Sequence, residues 1–362
     1  MRQPFCGGEA GKISGEFFLG SEGYIQMRDD GLRKWMKFLG YLTGFLLCLC
    51  FAGCHTPIGA VQEGAEETGY TVIDARGTAV YIPKKPQRIL SGNLSYDTII
   101  AGLVTPDHLV AVNVLDTDSQ SSFFAEEAAK IPTKIYTFTS IPLETVIKTQ
   151  PDLIIVPGWI AADHVESYRQ LGYPVLVCQG PDNIEEAKAA IRLVAQALQE
   201  EAAGERVVAE MERQLTEIDT VLAARTDRRP VGMLISQMQS YGGPGSMYHE
   251  LCTRARIENG IEKAGLKNGE FLSKELVVKA NPDFFLAATP HEVDSYGSEA
   301  FREKFLSDPA LAELPAVHQV RFVPARYLYA ASQNLVYAIK GLANAAYGDV
   351  FDMSEEHLIR GY

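Results

Sequence analysis

Several features that would assign this chain to a common functional class are scarce or missing. The 362 residues include 6 cysteines, none of them in a Cys-x-x-Cys pair, so a structural zinc site is not indicated. Basic residues number 33 against 46 acidic ones, and an acidic surface repels the phosphate backbone of nucleic acids. Histidines and carboxylates do not cluster at the predicted strand ends, which argues against a receptor for bare zinc or manganese ions.

The glycine-rich segment 242–246, Gly-Gly-Pro-Gly-Ser, lacks the residues that would complete a catalytic motif. No glycine follows Ser246 at the spacing of Gly-x-Ser-x-Gly, and no third glycine completes Gly-x-Gly-x-x-Gly. The spacing also identifies no histidine and acid partner for Ser246. We therefore expect no enzyme and interpret the segment as a helix entry with Ser246 as its cap.

The chain begins with the pattern of an export signal. Arg33, Lys34 and Lys37 precede an apolar run from Phe38 to Ala52 that contains no charge, which predicts a signal peptide over residues 1–53. The run is shorter than the roughly 20 residues that a membrane-spanning helix needs. The residues ahead of the basic segment show no hydrophobic period, so we expect translation to start at Met27 or Met36.

The end of the apolar run, Phe51-Ala52-Gly53-Cys54, resembles the lipobox of bacterial lipoproteins. The resemblance implies that Cys54 is the lipidated first residue of the mature protein and that residues 54–67 are a tether. The alternative is an uncleaved N-terminal anchor, which leaves the same domain outside the same membrane. Of the later cysteines, Cys178 and Cys252 are expected to be buried free thiols, with a disulfide between them as the alternative.

Two segments 131 residues apart have nearly the same sequence. Residues 143–155 are LETVIKTQPDLII and residues 274–286 are KELVVKANPDFFL, so that Glu, Val, Lys, Pro and Asp recur in register. Each copy predicts a short amphipathic helix that stops at Pro-Asp and a buried strand that follows it. The separation is too long for a solenoid repeat, so it favours two similar lobes with a cleft between them.

The order of predicted elements gives an α/β fold with a parallel sheet in each lobe. We expect an N-terminal lobe over residues 68–200, a linker helix over 201–226 and a C-terminal lobe over 227–362. The linker has an apolar stripe at helical spacing, formed by Val207, Met211, Leu215, Ile218 and Leu222. It is predicted to be either a surface helix on one lobe or a stiff strut that joins both.

The segment from Val72 to Gly77, continued from Ile82 to Ser91, resembles the start of substrate-binding proteins of iron-siderophore, haem and vitamin B12 ABC importers. The paired Glu-x-x-x-x-x-x-Pro-Asp units, the Leu171–Val175 segment and the stiff middle helix are similar to the same periplasmic binding proteins of the rigid-helix-hinge class. The ordered set covers roughly residues 70 to 347.

This resemblance implies a monomeric, extracytoplasmic receptor, with no cofactor of its own, that binds a metal chelate between its lobes. The chelate would be a ferric siderophore, haem or cobalamin, delivered to a permease dimer with its ATPase subunits. Glu144 and Glu275 match the family positions that dock onto arginines of the two permease subunits. Alternatively, each carboxylate merely favours the positive N-terminal end of its helix, a contribution of about 0.3–1 kcal/mol.

Ligand contacts are expected in the loops after the strands, because open α/β sheets bind there. The candidates in these loops are Asn93, Tyr96, Trp159, Tyr241, Tyr248, Arg326, Tyr327 and Tyr329. Aromatic rings suit a flat chelate and phenol oxygens can bind iron, although each tyrosine could equally pack in the core. Arg326 either pairs with an anionic group or is solvated, and Met247 and His249 could ligate haem iron or lie at the surface.

A rival function from another class is a sensing or adhesion lipoprotein on the same scaffold, without a role in transport. Loss of ligand uptake on deletion would distinguish the two. A stiff strut between the lobes further predicts that the lobes move little when ligand binds.

Overall fold

The computed structural model describes residues 69–137, 139–290, 298–329 and 331–362. The predicted signal peptide, Cys54 and the tether lie outside these residues. The described chain starts with an antiparallel hairpin of β1 (Tyr70–Ile73) and β2 (Ala79–Ile82). Its turn contains Gly77 at φ +78°, a left-handed conformation that glycine adopts without steric strain. The predicted hairpin is confirmed.

The N-terminal lobe has a five-stranded parallel sheet in the order β5-β4-β3-β6-β7. Its strands are β3 (Ile89–Leu90), β4 (Leu109–Asn113), β5 (Lys134–Ile135), β6 (Leu153–Pro157) and β7 (Val175–Cys178). Its helices are α1 (Leu94–Leu103), α2 (Ala125–Lys130), α3 (Leu143–Thr149), α4 (Ala162–Gln170) and α5 (Ile184–Ala197), and the 23-residue helix α6 (Glu201–Ala223) follows. Strands β6 and β7 are buried throughout, as expected for a sheet covered on both faces.

The C-terminal lobe has a four-stranded parallel sheet in the order β11-β10-β8-β9. Its strands are β8 (Val231–Leu234), β9 (Glu258–Asn259), β10 (Phe284–Ala288) and β11 (Val320–Val323). Its helices are α7 (Met247–Arg254), α8 (Gly260–Lys263), α9 (Lys274–Ala280), α10 (Ser298–Leu306), α11 (Ala325–Tyr329) and α12 (Leu335–Tyr347). Ser246 caps α7 by accepting a hydrogen bond from the backbone N–H of His249, which confirms the predicted helix entry.

The sequence repeat is a structural repeat. Helices α3 and α9 have seven residues each, and they end at Gln150 and Asn281, both at φ +46°. Each helix leads through Pro-Asp into a central strand, β6 or β10. Val146 and Val277 occupy matching positions and are fully buried, so the two lobes carry the same helix-strand unit, as predicted.

Helix α6 contacts both lobes. Glu212 pairs with Lys188 of α5 at 3.2 Å, whereas Asp219 pairs with Arg254 of α7 at 2.7 Å. The predicted apolar stripe is buried, and it belongs to one apolar core cluster that includes residues of both sheets. Of the two predicted roles, α6 therefore has that of a strut that joins both lobes, and not that of a surface helix on one lobe. No helix in the described part of the chain has both the length and the apolar character needed to cross a bilayer.

The chain reaches the N-terminal lobe again at its last residues, although the predicted domain boundary assigned residues 227–362 to the second lobe. The N–H of Gly361 donates to the carbonyl of Gly102 at 2.8 Å, and Arg360 pairs with Glu127 at 2.6 Å. Leu358 and Ile359 are buried in the shared core. This C-terminal strap, residues 348–362, is a second connection between the lobes beside α6.

Candidate ligand-binding cleft

The carboxyl ends of the two sheets face each other. The backbone N–H of Arg326, just after β11, donates to the carbonyl of Gln120 at 2.9 Å, in the segment that follows β4. The N–H of Ala331 donates to the hydroxyl of Ser95, at the start of α1, at 3.0 Å. Because ligands of open α/β sheets bind beyond the carboxyl ends of the strands, the space between these edges is the candidate cleft.

The N-terminal wall of the cleft exposes two aromatic rings. Tyr136 follows β5 and is 70% exposed, and Trp159 follows β6 and is 60% exposed. The Trp159 ring lies against Gly180, which follows β7, where any side chain would collide with it. Trp159 is therefore in the predicted region of the wall, whereas Tyr136 was missed because β5 has only two residues and no recognisable pattern.

Asn93 has a structural role at the same edge. It precedes α1, and its side-chain oxygen accepts hydrogen bonds from the backbone N–H groups of Ser95 and Tyr96. The residue is partly exposed, so its amide group also borders the cleft.

The C-terminal wall contains a pocket of about 480 Å³. Aromatic and aliphatic side chains dominate its lining, which includes Leu234, Met238, Tyr241, Ile261, Phe271, Leu272, Phe301 and Phe305. Met238 and Phe271 are 51% and 64% exposed, so large apolar groups face solvent on this wall as well. Both residues lie in loops without periodicity, which is why the sequence pattern did not select them.

The charges of the pocket lie at its rim. Lys274, Glu275 and Lys304 line it, and Lys274 is paired with Asp308. Lys304 is exposed and has no ion pair among the described residues. An apolar floor with a free ammonium group at the edge suits a ligand that has a flat apolar body and an anionic margin.

Tyr241 lines the pocket with its hydroxyl already engaged. The phenol donates a hydrogen bond to the carbonyl of Leu328 at 3.0 Å, and burial, with a smaller effect of Tyr329, raises its pKa above the ordinary value. As an iron ligand, Tyr241 would have to break this bond and release its proton. Its ring is therefore better suited to contact a ligand than its oxygen is to coordinate a metal.

Three predicted ligand contacts are core residues. Tyr96, Tyr248 and Tyr327 are 1%, 0% and 4% exposed, so the prediction that their rings line the cleft is wrong. The phenols of Tyr96 and Tyr327 donate to the carbonyl of Gln179 at 2.8 Å and to Glu356 at 2.7 Å. These rings are buried in the core. The position of a residue after a strand does not reveal how deeply its side chain is buried.

Arg326, Met247 and His249 also differ from expectation. The guanidinium of Arg326 pairs with Glu356 and donates to the carbonyl of Ser119, so it is neither solvated nor free for an anionic ligand. Met247 is buried in the first turn of α7, and the imidazole of His249 lies 3.3 Å from the side-chain nitrogen of Asn259. Both belong to the packing of α7, and the alternative of haem ligation has no support there.

The two predicted docking carboxylates occupy equivalent places. Glu144 and Glu275 are exposed in the first turns of α3 and α9. Glu144 forms no ion pair with any described residue, and the hydroxyl of Ser273 together with the backbone N–H of Glu275 holds the pKa of Glu275 below its usual value. Both carboxyl groups are therefore accessible to a partner.

A pair of buried carboxyl groups lies beneath the N-terminal wall. Asp97 of α1 accepts hydrogen bonds from the backbone N–H groups of Gly92 and Asn113, each at 3.1 Å, and so joins the loops after β3 and β4. Burial raises the pKa of Asp97, and burial together with the charge of Asp97 raises that of Asp116. Asp116 is fully buried, and neither of its carboxyl oxygens has a hydrogen-bond partner among the described residues, so its surroundings favour the neutral form.

The described residues include two free thiols but no cluster of side chains that could hold a metal ion. Cys178 and Cys252 are buried and unpaired, as predicted, and burial raises the pKa of both thiols. Within residues 69–137, 139–290, 298–329 and 331–362, no three side chains of His, Cys, Asp or Glu are placed to hold a metal ion.

Solved structures of similar fold are those of binding proteins. Periplasmic haem-binding protein RhuT from Roseiflexus sp. RS-1, in its apo form, has 22% identity and a TM-score of 0.63, over 73% of this chain and 99% of that one. Haem-binding protein HmuT has 20% identity and a TM-score of 0.61, over 83% and 96%. CeuE of Helicobacter pylori, solved with Ni(II), has 19% identity and a TM-score of 0.60, over 78% and 90%.

Similarity in amino-acid sequence identifies the family of this chain. No curated protein is similar to this chain at a significant level. The sequence model described as "Periplasmic binding protein" matches residues 89–326, which is well over half of the chain and spans both lobes and α6. The chain therefore belongs to the periplasmic binding protein family.

Proposed function

We propose that this protein is a lipid-anchored, extracytoplasmic substrate-binding protein that captures haem in its cleft and delivers it to an ABC importer. The observation that carries the proposal is the exposure of large apolar side chains on both walls, with Tyr136 and Trp159 on one and Met238 and Phe271 on the other. Side chains of this size gain most when a flat apolar ligand removes them from water.

Haem suits these walls better than the two other chelates that the sequence leaves open. A porphyrin has two broad apolar faces, and the C-terminal pocket has an apolar lining with only Ser236, Gln239 and Ser273 as neutral polar side chains. Its propionates would lie within reach of the rim, where Lys304 has no ion pair among the described residues. The relatives RhuT and HmuT, which share this fold, are named as haem-binding proteins.

The iron of a bound haem would find an exposed phenol on the N-terminal wall. Tyr136 is 70% exposed and its side chain makes no hydrogen bond with any described residue, so its oxygen can approach an iron atom without breaking a contact. Tyr241 lacks this freedom because its hydroxyl is bonded to Leu328. We assign Tyr136 as the iron contact and Trp159, Met238, Tyr241 and Phe271 as contacts of the ring.

Delivery to the importer would use the two lobes together. Glu144 and Glu275 stand at matched positions on the repeated helices, one in each lobe, and can straddle a partner built of two similar subunits. The strut α6 would keep their separation nearly constant.

Tryptophan fluorescence of the chain that starts after Cys54 tests the proposal, because Trp159 is the single tryptophan in that part. We expect saturable quenching by haemin, a shifted haemin absorption band, and much weaker responses to ferric siderophores and to cobalamin. Tyr136→Ala should change the absorption band, whereas Tyr81→Ala, a 60% exposed tyrosine on β2, should not. A folded protein that binds cobalamin or a siderophore in preference to haemin would overturn the assignment.

A further inference from the structure

A cavity of about 540 Å³ opens at the amino ends of the strands of the C-terminal sheet, on the side opposite the candidate cleft. Its lining includes three guanidinium groups, those of Arg225, Arg228 and Arg321. Arg225 follows the end of α6, Arg228 lies just before β8, and Arg321 belongs to β11. The whole chain has 33 basic and 46 acidic residues, so its composition does not predict a concentration of arginine at one place. We call this cavity the arginine cavity.

Two further arginines lie beside the arginine cavity. The Tyr347 phenol, at the end of α12, donates to the backbone carbonyl of Arg256. Burial raises the pKa of Tyr347, and the charges of Arg256, Arg225 and Arg229 act in the opposite direction, so these guanidinium groups lie near the phenol. The carboxylates that interact with the five arginines in the described chain are Asp227, Glu258 and Asp283. Positive charge is therefore in excess at this end of the lobe.

The Arg321 guanidinium forms no ion pair with a described residue. It donates to the carbonyls of Ala345 and Ala346 at the end of α12, and its central carbon lies 4.0 Å from the centre of the Phe284 ring. Burial lowers the pKa of Arg321, and the charge of Asp283 acts against this effect without cancelling it. A bound anion would supply the missing opposite charge.

Guanidinium donors in this region also lack acceptors. The Nε atoms of Arg225 and Arg256 are buried and have no hydrogen-bond partner among the described residues. Buried N–H groups normally have an acceptor, so each unpaired group needs an explanation. The central carbon of Arg225 lies 4.3 Å from the centre of the Tyr347 ring, in the wall of the cavity. A ligand with several oxygen acceptors would give these guanidinium groups the partners that the fold does not.

We propose that the arginine cavity binds the phosphate group of an organic phosphate. Guanidinium groups match phosphate oxygens through paired N–H donors, and three of them line one cavity here. The lining also includes Pro230, Ala345, Ala346 and the ring of Tyr347, which suit the carbon-containing part of such a ligand. A phospholipid headgroup and a soluble phosphate ester share this chemistry. The site lies apart from the candidate cleft and does not depend on the proposed transport of haem.

Calorimetry and vesicle flotation test the site in the chain that starts after Cys54, which keeps every described residue. The soluble probe is glycerol 3-phosphate, and the vesicles contain either phosphatidylglycerol with phosphatidylcholine or phosphatidylcholine alone. Arg225→Gln and Arg228→Gln change the cavity, and these side chains are 28% and 69% exposed. Arg254→Gln and Arg213→Gln are the matched controls, because their side chains are 32% and 62% exposed, form ion pairs and lie outside the cavity. All four variants remove one positive charge, so net charge cannot explain a loss that is confined to the first two.

We expect Arg225→Gln and Arg228→Gln each to bind about tenfold more weakly than the unmodified protein, because each loses a hydrogen bond to a charged group. The control variants should bind like the unmodified protein. Binding of glycerol 3-phosphate would support the site with a soluble ester as its ligand, whereas flotation with phosphatidylglycerol vesicles alone would support it with a lipid headgroup.

Arg228 is the more exposed of the two arginines, so its replacement should leave the fold intact. The result for Arg228→Gln therefore decides the question even where Arg225→Gln unfolds. No binding of either probe by the unmodified protein, or equal losses in the cavity and control variants, would overturn the site.

Discussion

The Arg326 guanidinium lies 3.0 Å from the Glu356 carboxylate, and the two side chains are only 14% and 13% exposed. Arg326 comes from α11 in the C-terminal lobe, and Glu356 comes from the strap that returns to the N-terminal lobe. The same guanidinium donates to the carbonyl of Ser119 beyond β4, and the hydroxyl of Tyr327 donates to Glu356 at 2.7 Å. This network joins the two lobes through side chains of α11 and the strap.

Removing Glu356 should therefore destabilise the protein strongly. Glu356→Ala leaves the Arg326 side chain, only 14% exposed, without its counter-ion, and we expect a loss of about 3 kcal/mol in the free energy of unfolding. Glu127→Ala breaks the more exposed pair with Arg360 and should cost less than about 1 kcal/mol. Urea denaturation of both variants measures the difference. Equal losses would show that the Arg326 network does not hold the hinge.

The buried pair Asp97 and Asp116 predicts a dependence of stability on pH. Burial raises both pKa values, so the folded state keeps a proton that the unfolded chain releases above about pH 3.9. The free energy of unfolding should fall by about 1.4 kcal/mol per pH unit between the unfolded and folded pKa values, and the penalty is complete above the folded pKa.

Asp116→Asn should flatten this profile. The amide cannot ionise, so the variant avoids the cost of a buried charge at this position and gains stability relative to the unmodified protein as the pH rises from 4.5 to 8. Thermal or urea denaturation across this range measures the slope. Asp163→Asn, which changes an exposed carboxyl on α4, is the control and should leave it unchanged. Parallel profiles for Asp116→Asn and the unmodified protein would contradict a raised pKa of Asp116.

The docking carboxylates predict a separation between binding and transport. The double variant Glu144→Ala, Glu275→Ala should abolish uptake by cells. Glu144→Ala alone should retain the affinity for haemin, because Glu144 lies outside the pocket that Glu275 lines. Glu166→Ala with Glu303→Ala removes one exposed carboxylate from each lobe elsewhere and serves as the control. Normal uptake by the first double variant would exclude docking through these residues.

The sequence predicted the features that repeat or extend over several turns. The helix-strand repeat, the stripe of α6 and the cap Ser246 all depend on local patterns, and each is confirmed. Prediction from the sequence failed where the role of a side chain depends on how deeply it is buried in the fold. Tyr96 and Trp159 both follow a strand of the same sheet, yet one is 1% exposed and the other 60% exposed.

Three further features depend on contacts between distant parts of the chain. Asp97 lies in the largely apolar helix α1, but its proximity to Asp116 could be found only from the register of β3 and β4. The strap has no hydrophobic period, and its place on the N-terminal lobe depends on single contacts such as that of Gly361 with Gly102. Arg326 likewise owes its role to Glu356, 30 residues later.

The contact between Lys340 of α12 and Gln214 of α6 predicts coupling between the strut and the second lobe. The ammonium group donates to the side-chain oxygen of Gln214 at 3.0 Å, and both residues are buried. Gln214→Leu strands a buried charge and should cost about 3 kcal/mol, whereas Lys340→Met removes the charge and should cost less. In the double variant we expect a coupling energy of about 1–2 kcal/mol. Simple additivity would mean that the two helices are not joined by this bond.

The strap and the strut together predict that the lobes barely close on the ligand. A hinge motion would have to bend α6 and also break the contacts of the strap, which include the bond from Arg206 to the carbonyl of Gly361 at 2.5 Å. The radius of gyration from X-ray scattering should therefore be the same with and without haemin.

Gly361→Ala offers a way to release one of the two connections, because a side chain there would collide with the backbone of Ala203. In that variant we expect faster hydrogen exchange in residues 358–362 and a measurable contraction on adding haemin. Gly172→Ala strains a left-handed turn of the N-terminal lobe (φ +87°) without any collision, so it should leave both unchanged. Contraction of the unmodified protein would show that α6 bends, and an unchanged radius in Gly361→Ala despite faster exchange would assign the stiffness to α6 alone.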